Sequence, residues 1–348
     1  MDINLKDLEK ASLVFLQDIL YLEQGQSLLI YRDEASDEVT AHALQNCAKE
    51  IAVQAELIQL HDFSKLTDRI KALTEEIENR NYDAICELSA QYFYPTIVWK
   101  KAVEKGCKVY SLGAIDAASF IRCIGEVDQK KLYEFGLSLK NILEKARRVQ
   151  IRSKSGTNLA CKMNSTSFAA KIFSKIKLVG RSKVWSPSGI LKEHASTTFM
   201  GGQVAFLGVP NTIEGTAIID GYLWPPNEIG LIENPIVLKI GKGQVVSIDG
   251  DNPKSKILSK WLDGKEKCIE HFCVGYNPGA RLSGNIVEAE RAFGHIVIGV
   301  GKYPFHTDGI IKHPELIVDD TVIIQNNSFV HDSLQVPSNN LCRSFHET

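Results

Sequence analysis

Glycine-rich phosphate cradles are missing from this chain. No Gly-x-Gly-x-x-Gly follows its first strand-like run, where Arg32-Asp33-Glu34-Ala35-Ser36 stands instead, and no Gly-x-x-x-x-Gly-Lys-Ser/Thr occurs anywhere. A nucleotide-binding role therefore lacks its usual support. A charge excess is missing too: 40 Lys and Arg against 42 Asp and Glu leave a formal charge of -2, which gives no reason to expect nucleic acid or an anionic membrane as partner. No apolar run approaches the roughly 18 residues of a membrane span. The first twenty residues carry acids and lysines at helical spacing, not the basic end and apolar stretch of a signal peptide. A soluble, cytoplasmic protein is the expectation. Eight cysteines (Cys47, Cys86, Cys107, Cys123, Cys161, Cys268, Cys273, Cys342) occur without a Cys-x-x-Cys pair, which argues against a zinc ribbon and a disulfide framework. Cys268 and Cys273 flank His271 and read as small buried hydrophobes.

At 348 residues the chain exceeds the size at which one core usually stops growing, so two domains are expected. From residue 27 to about 125, apolar runs (SLLIY, AELIQL, DAICEL, KVYSL) alternate with amphipathic stretches (DEVTAHALQNCAKEIAVQ, LTDRIKALTEEIENR and one near 95–105). That alternation predicts an α/β domain with a mostly parallel sheet over residues 1–147, closed by a helix over DQKKLYEFGLSLKNILEKARR. Gly106 is placed to take the left-handed cap conformation before the strand at Cys107.

After residue 147 the texture changes to short β-branched runs punctuated by Gly, Pro and Asn, including TNLACKM, GGQVAFLGVP, GTAIIDGYLW, NIVEAE, HIVIGVG and ELIVDDTVIIQNNSF. These predict a larger, mostly antiparallel β domain over residues 148–334, making the whole α+β. Lys242-Gly243-Gln244 reads as a hairpin turn and PKSKILSKWLDG as the one interrupting helix. Residues 335–348 read as a flexible tail.

Candidate chemistry lies in the β half. His306 and Asp308 are two apart in a β-looking segment, so both side chains leave one face and can close on a divalent metal; the alternative is a strand with polar residues facing out. His271 stands before the sharp reversal Gly275-Tyr276-Asn277-Pro278-Gly279, which could deliver it into a cleft. Two imidazoles and one carboxylate form the facial set that leaves three metal positions open, and buried, hydrogen-bonded histidines are the competing explanation. Glu288 and Glu290 alternate in NIVEAE and read as a solvated or salt-bridged strand face. Trp224 and Trp185 read as an apolar wall for a ring or as core tryptophans.

Several stretches together resemble the family that joins metallo-aminopeptidases of the aminopeptidase T type to 2,5-dihydroxypyridine 5,6-dioxygenase. They are Gly202-Gln203-Val204-Ala205-Phe206, Glu214-Gly215-Thr216, Trp224-Pro225-Pro226-Asn227, Gly275 through Ala280, Gly284 through Arg291 and His306-Thr307-Asp308-Gly309. The aminopeptidases hold two metals with glutamates at positions that here look like Gln203 and His271. An amide and an imidazole there remove two negative charges from a site that must balance two dications. The chain is therefore closer to the dioxygenase branch.

That resemblance implies a mononuclear Fe(II) enzyme with His271, His306 and Asp308 as metal ligands, cleaving a small hydroxylated aromatic. Zn(II), Co(II) or Mn(II) are the alternative metals, and an aminopeptidase acting on short peptides or a non-catalytic member are the alternative functions. His194, just upstream of the Gly202-Gln203 segment that resembles a site-lining strand, reads as the proton-transfer group or as a surface histidine on a loop; Gln203 and Trp224 are the candidate substrate-binding residues, and the resemblance further implies a possible homodimer. His295 opens His295-Ile296-Val297-Ile298-Gly299, which resembles the strand bearing a peptidase ligand, and reads as a third imidazole or a structural residue.

Overall fold

Aliphatic runs flanked by capped amphipathic helices build the parallel sheet. In the computed structural model these are β1 (Ser27–Arg32), β2 (Gln54–Gln59), β3 (Ala84–Glu87) and β4 (Lys108–Ser111), in the order β2-β1-β3-β4 with the Thr197–Phe199 strand beyond β4, all parallel. The structure describes residues 3–343 apart from 61–62, 64, 91–92, 94–95, 114, 164–181, 192–195, 251, 304 and 335–337. The connecting helices run Glu38–Glu50, Leu66–Asn79 and Ile97–Glu104, the first capped by Asp37, whose side chain accepts from the Val39 N–H. Gly106 takes φ +85° past the third helix, as its position predicts. Leu29, Tyr31, Leu73, Ile77, Ile85, Trp99 and Val109 share one core on this sheet, each buried large side chain contributing about 1.5–3 kcal/mol.

The chain divides into two units, one of Met1–Tyr133, Ser188–Gly201 and Leu341–Thr348, the other of Glu134–Pro187 and Gly202–Asn340. In the first, Asp128 N–H donates to Leu341 and Arg343 N–H to Glu126, so the described end of the chain pairs with an earlier segment. The second unit holds two antiparallel sheets, as the Gly-punctuated runs predict. One has eight strands, and its Ile236–Gly241 and Gln244–Asp249 strands meet through a two-residue turn with Lys242 at φ 51° and Gly243 at φ 73°. None of the eight cysteines pairs with another, and among the described residues no helix is long and apolar enough to cross a membrane.

The other sheet carries the candidate site. Its strands are β5 (Lys183–Val184), β6 (Gln203–Leu207), β7 (Tyr222–Trp224), β8 (Gly230–Leu231), β9 (Ile269–Gly275), β10 (Ile296–Val300) and β11 (Thr307–Ile311), in the order β8-β7-β11-β10-β9-β6-β5. Leu223, Ile298, Val300, Thr307 and Gly309 face inward and, with Ile219 and Leu238 of the eight-stranded sheet, line a small apolar space. A β-carbon on Gly309 would stand 3.0 Å from Ile219, so this glycine lets the two sheets approach. The opposite face is left for chemistry.

The expectation of a strand at NIVEAE is corrected. Ile286–Ala289 is a short helix with Asn285 as its cap, accepting from the Val287 and Glu288 N–H groups. An Asn followed three residues later by Glu is a helix-start signal that outweighs the β-branched pair Ile286-Val287 here. Glu288 is fully buried, not solvated, and accepts from the Arg281 N–H at 3.0 Å and from the Ser283 hydroxyl.

Candidate metal centre

Four residues from four neighbouring strands stand in one row. His271 of β9 pairs with Gly299 of β10, Gly299 with Asp308 of β11, and Asp308 with Trp224 of β7. Paired residues on antiparallel strands share a face, so His271, Asp308 and Trp224 project together. A bulge between Ile269 and His271 inserts one residue into β9 immediately before His271. Such a bulge redirects the side chains that follow it, and here Ile269 is buried while Glu270 and His271 reach the site.

His306 sits just before β11. Its Nε2 lies 3.0 Å from Asp308 Oδ1, and His271 Nε2 lies 3.1 Å from that same oxygen. The two rings are tilted by 32° with centroids 5.0 Å apart. One donor atom from each of His271, His306 and Asp308 falls within 4.8 Å of the other two, and no other such cluster exists among the described residues. His306 Nδ1 faces the Gly301 carbonyl at 2.8 Å and Glu270 Oε2 at 3.0 Å. Assigning the Nδ1 proton to these acceptors leaves Nε2 with a lone pair directed at Asp308, the tautomer that a metal ligand requires. Two imidazole nitrogens and a carboxylate fit a divalent ion of the Fe(II), Mn(II) or Zn(II) kind.

The electrostatics match a place built for positive charge. Burial works against an ionised Asp308, but the two imidazoles outweigh it and hold the carboxyl well below the usual range. Burial works against protonated histidines as well, yet Asp308 draws His306 up to about 9. His271 is raised well above its ordinary value against the same burial, by Cys273 and Asp308.

The remaining predicted residues fall in different places. Gln203 pairs with Gly275 at the far end of β9, on the same face as His271 but four residues along, about 13 Å at strand spacing. Its buried Oε1 has no hydrogen-bond partner among the described residues. Trp224 donates its indole N–H to Asn227 Oδ1. Trp185 follows β5 at the opposite edge of the sheet, with Lys183 Nζ 4.4 Å from its ring centre, so the two tryptophans do not form one wall. His295 precedes β10 and is not in the cluster. Its Nδ1 faces the Phe293 carbonyl at 3.1 Å, and burial pulls its pKa down. His194 lies outside the described residues.

Two residues around the site carry no role in the sequence reading: Glu270, which lies 3.0 Å from His306 Nδ1, and Gly299, which lies under His271; Glu290, read as solvated or salt-bridged, pairs with Arg291 at 3.1 Å. The Glu290 side chain is 16% exposed, and burial followed by the Asp308 carboxylate raises its pKa, with Arg291, His271 and His306 opposing. Capping logic at Asn285 was the available signal here, since it turns NIVEAE from a strand into a short helix, Ile286–Ala289.

The family model for NicX, 2,5-dihydroxypyridine 5,6-dioxygenase, matches residues 18–296, a span that includes His271 and ends before His306. No curated protein matches the chain. Among solved structures, 2,5-dihydroxypyridine dioxygenase from Pseudomonas putida KT2440 is similar with a TM-score of 0.75 at 15% identity, covering 96% of this chain and 100% of that one. Wild-type AmpT from Thermus thermophilus is similar with a TM-score of 0.61 at 11% identity, covering 94% and 99%. Both likenesses concern the fold. With four fifths of its length matched by the family model, the chain belongs to the NicX, 2,5-dihydroxypyridine 5,6-dioxygenase, family.

Proposed function

We propose that this protein is a mononuclear Fe(II) dioxygenase that opens the ring of a small hydroxylated aromatic of the 2,5-dihydroxypyridine kind. The observation that carries this reading is the donor set: two imidazoles and one carboxylate on one sheet face, alone among the described residues. Such a set leaves half of an octahedral shell open. Bound Fe(II) would supply the chemistry of bringing a hydroxylated ring and dioxygen together at those positions. The chain's own residues hold, orient and shield. His271, His306 and Asp308 fix the metal position, Glu270 and the Gly301 carbonyl orient His306, and Trp224 at the end of the row offers an apolar surface beside Asp308.

A two-metal aminopeptidase is disfavoured by charge. Gln203 is neutral and stands about 13 Å along the sheet from His271, so it adds no negative charge beside Asp308. Metal analysis separates the two readings. About one iron per chain after anaerobic loading, with oxygen uptake on adding 2,5-dihydroxypyridine, supports the dioxygenase. Two zinc or cobalt per chain, with release of amino acids from short peptides, would replace it.

A further inference from the structure

Trp224 stands next to the metal donors by strand register alone. It is the cross-strand partner of Asp308, so the two β-carbons lie about 4.5–5.5 Å apart on one sheet face. The donor atoms are themselves displaced toward that end of the row. His271 projects from β9, two strands and about 9.5 Å from β11, yet its Nε2 reaches Asp308 Oδ1 at 3.1 Å. It does so by lying over Gly299, where a β-carbon would meet the ring atoms at 2.6–2.8 Å. The three donors therefore gather at β11, and Trp224 of β7 is the next side chain along the row.

Two contacts fix the segment that carries the indole. The Thr307 hydroxyl, 1% exposed and between the candidate ligands His306 and Asp308 in sequence, donates to the Pro225 carbonyl. The indole N–H donates to Asn227 Oδ1 at 2.5 Å. Trp224 is half-buried, whereas Leu223 is buried on the opposite face against the other sheet. One residue of β7 thus packs between the sheets while the next presents an aromatic plane beside the donors. With its N–H already satisfied, the tryptophan has a ring face to offer and no further hydrogen bond.

A metal by itself discriminates poorly among small oxygen ligands, because any hydroxyl or carbonyl can take an open position. Discrimination has to come from what stands beside it. Resting on the function proposed above, we propose that Trp224 selects a planar aromatic substrate by stacking on its ring, with Thr307 and Asn227 as the residues that position the indole. A flat heteroaromatic ring can lie against the indole in offset contact, whereas a saturated ring with the same heteroatoms is puckered and touches it over less area. One such stack is worth roughly 5- to 150-fold in affinity for a base-like heterocycle. No proton or electron moves in this step, so the preference is a property of binding and is present without dioxygen.

The test is anaerobic calorimetry of protein loaded with one Fe(II), titrated with 2,5-dihydroxypyridine and with its saturated counterpart, 5-hydroxypiperidin-2-one. Wild type should prefer the aromatic by roughly 5- to 150-fold. Trp224→Ala should keep its iron and lose the preference, through weaker binding of the aromatic. Trp224→Phe should retain most of it, and Trp224→Leu, apolar but without a ring face, should not. Thr307→Val removes the hydroxyl that holds Pro225 and should reduce the preference with iron retained, and Thr307→Ser should restore it; a Thr307→Val protein equal to wild type refutes the positioning role. An unchanged preference in Trp224→Ala, where wild type consumes oxygen with the ring, overturns the selector and leaves the function standing. Loss of iron from Trp224→Ala overturns it too, because Trp224 would then support Asp308 and not the substrate. If that variant does not fold, Trp224→Leu decides the same question, and an unchanged preference in it refutes stacking. Wild-type protein that holds iron and binds neither ligand defeats the proposed function itself, and the selector falls with it.

Discussion

Gly299 lies directly across the strand pair from His271, and a β-carbon there would stand 2.6 Å from the imidazole Cε1 and 2.8 Å from both ring nitrogens. The ring occupies the space where a side chain would be. Gly299→Ala must displace the imidazole or separate the strands, an overpacking of about 1–3 kcal/mol. Expressed in the position of His271, that is roughly 5- to 150-fold in metal affinity. Metal titration of Gly299→Ala, with circular dichroism to show the fold intact, checks it; unchanged affinity would mean that the ring is not held where a metal needs it.

His306→Ala and Asp308→Ala each remove one of three donors. Loss of retained metal after gel filtration is expected for both. Asp308→Ala should be the more damaging, because it deletes the only negative charge among the donors and leaves two partly buried imidazoles facing each other at 5.0 Å between ring centres. Full metal occupancy in either variant would show that the donor set is wrong.

Glu270 acts at one remove. Its Oε2 lies 3.0 Å from His306 Nδ1, beside the Gly301 carbonyl that accepts from that nitrogen, and so favours the ring orientation with Nε2 toward Asp308. Glu270→Gln keeps an acceptor oxygen and loses the charge, so a mild loss is expected; Glu270→Ala should weaken metal binding by about 10- to 100-fold. The measurement is competition against a chelator of known affinity, and a metal affinity in Glu270→Ala equal to wild type would assign that orientation to Gly301 alone.

The pH dependence follows from Asp308 and His306. In metal-free protein His306 is raised from its ordinary value to about 9, so the stability from its protonated form is fully present below about pH 6.5 and is lost as pH rises through about 9. Asp308 is lowered, and its contribution is present above about pH 3.9 and disappears on acidification. Metal affinity runs the other way, because the ion must displace imidazole protons, and should rise about tenfold per pH unit for each proton displaced. Thermal midpoints of chelator-treated protein that fall between pH 7 and 10, alongside metal affinity that climbs, would agree. A flat affinity over that range would contradict a protonated metal-free site.

Much of this arrangement was legible before the structure, and the reasons differ by residue. His306 and Asp308 declare themselves by spacing, since a period of two needs no knowledge of the partner strand. His271 was found through its turn and its family resemblance. Gly299 was not legible, because its meaning arises from cross-strand register, and that register depends on the bulge at Glu270. Glu290 was misplaced by a wrong period: NIVEAE read as a strand gives a solvated or salt-bridged face, whereas Asn285 caps a short helix after which Glu290 pairs with Arg291. The alternating runs, in contrast, specified both sheet types, because whether one face or both is buried sets the pattern locally.

Arg291 is among the largest fully buried side chains and is paired with Glu290. Removing it leaves that carboxylate in a low-dielectric setting with the Asp308 carboxylate opposing its ionisation and only the His271 and His306 imidazoles favouring it. Arg291→Met should therefore cost about 3–5 kcal/mol, more than the lost hydrogen bonds alone, since breaking a buried pair exposes the price of the other charge. Adding Glu290→Gln should recover part of it, because the amide needs no counter-charge. Four chemical-denaturation curves complete the cycle. A double variant as unstable as the sum of the singles would mean that Arg291 serves the Val287 carbonyl and the surrounding packing, and that Glu290 is neutral in the metal-free protein; recovery would place an ionised carboxylate beside Asp308 before any metal arrives.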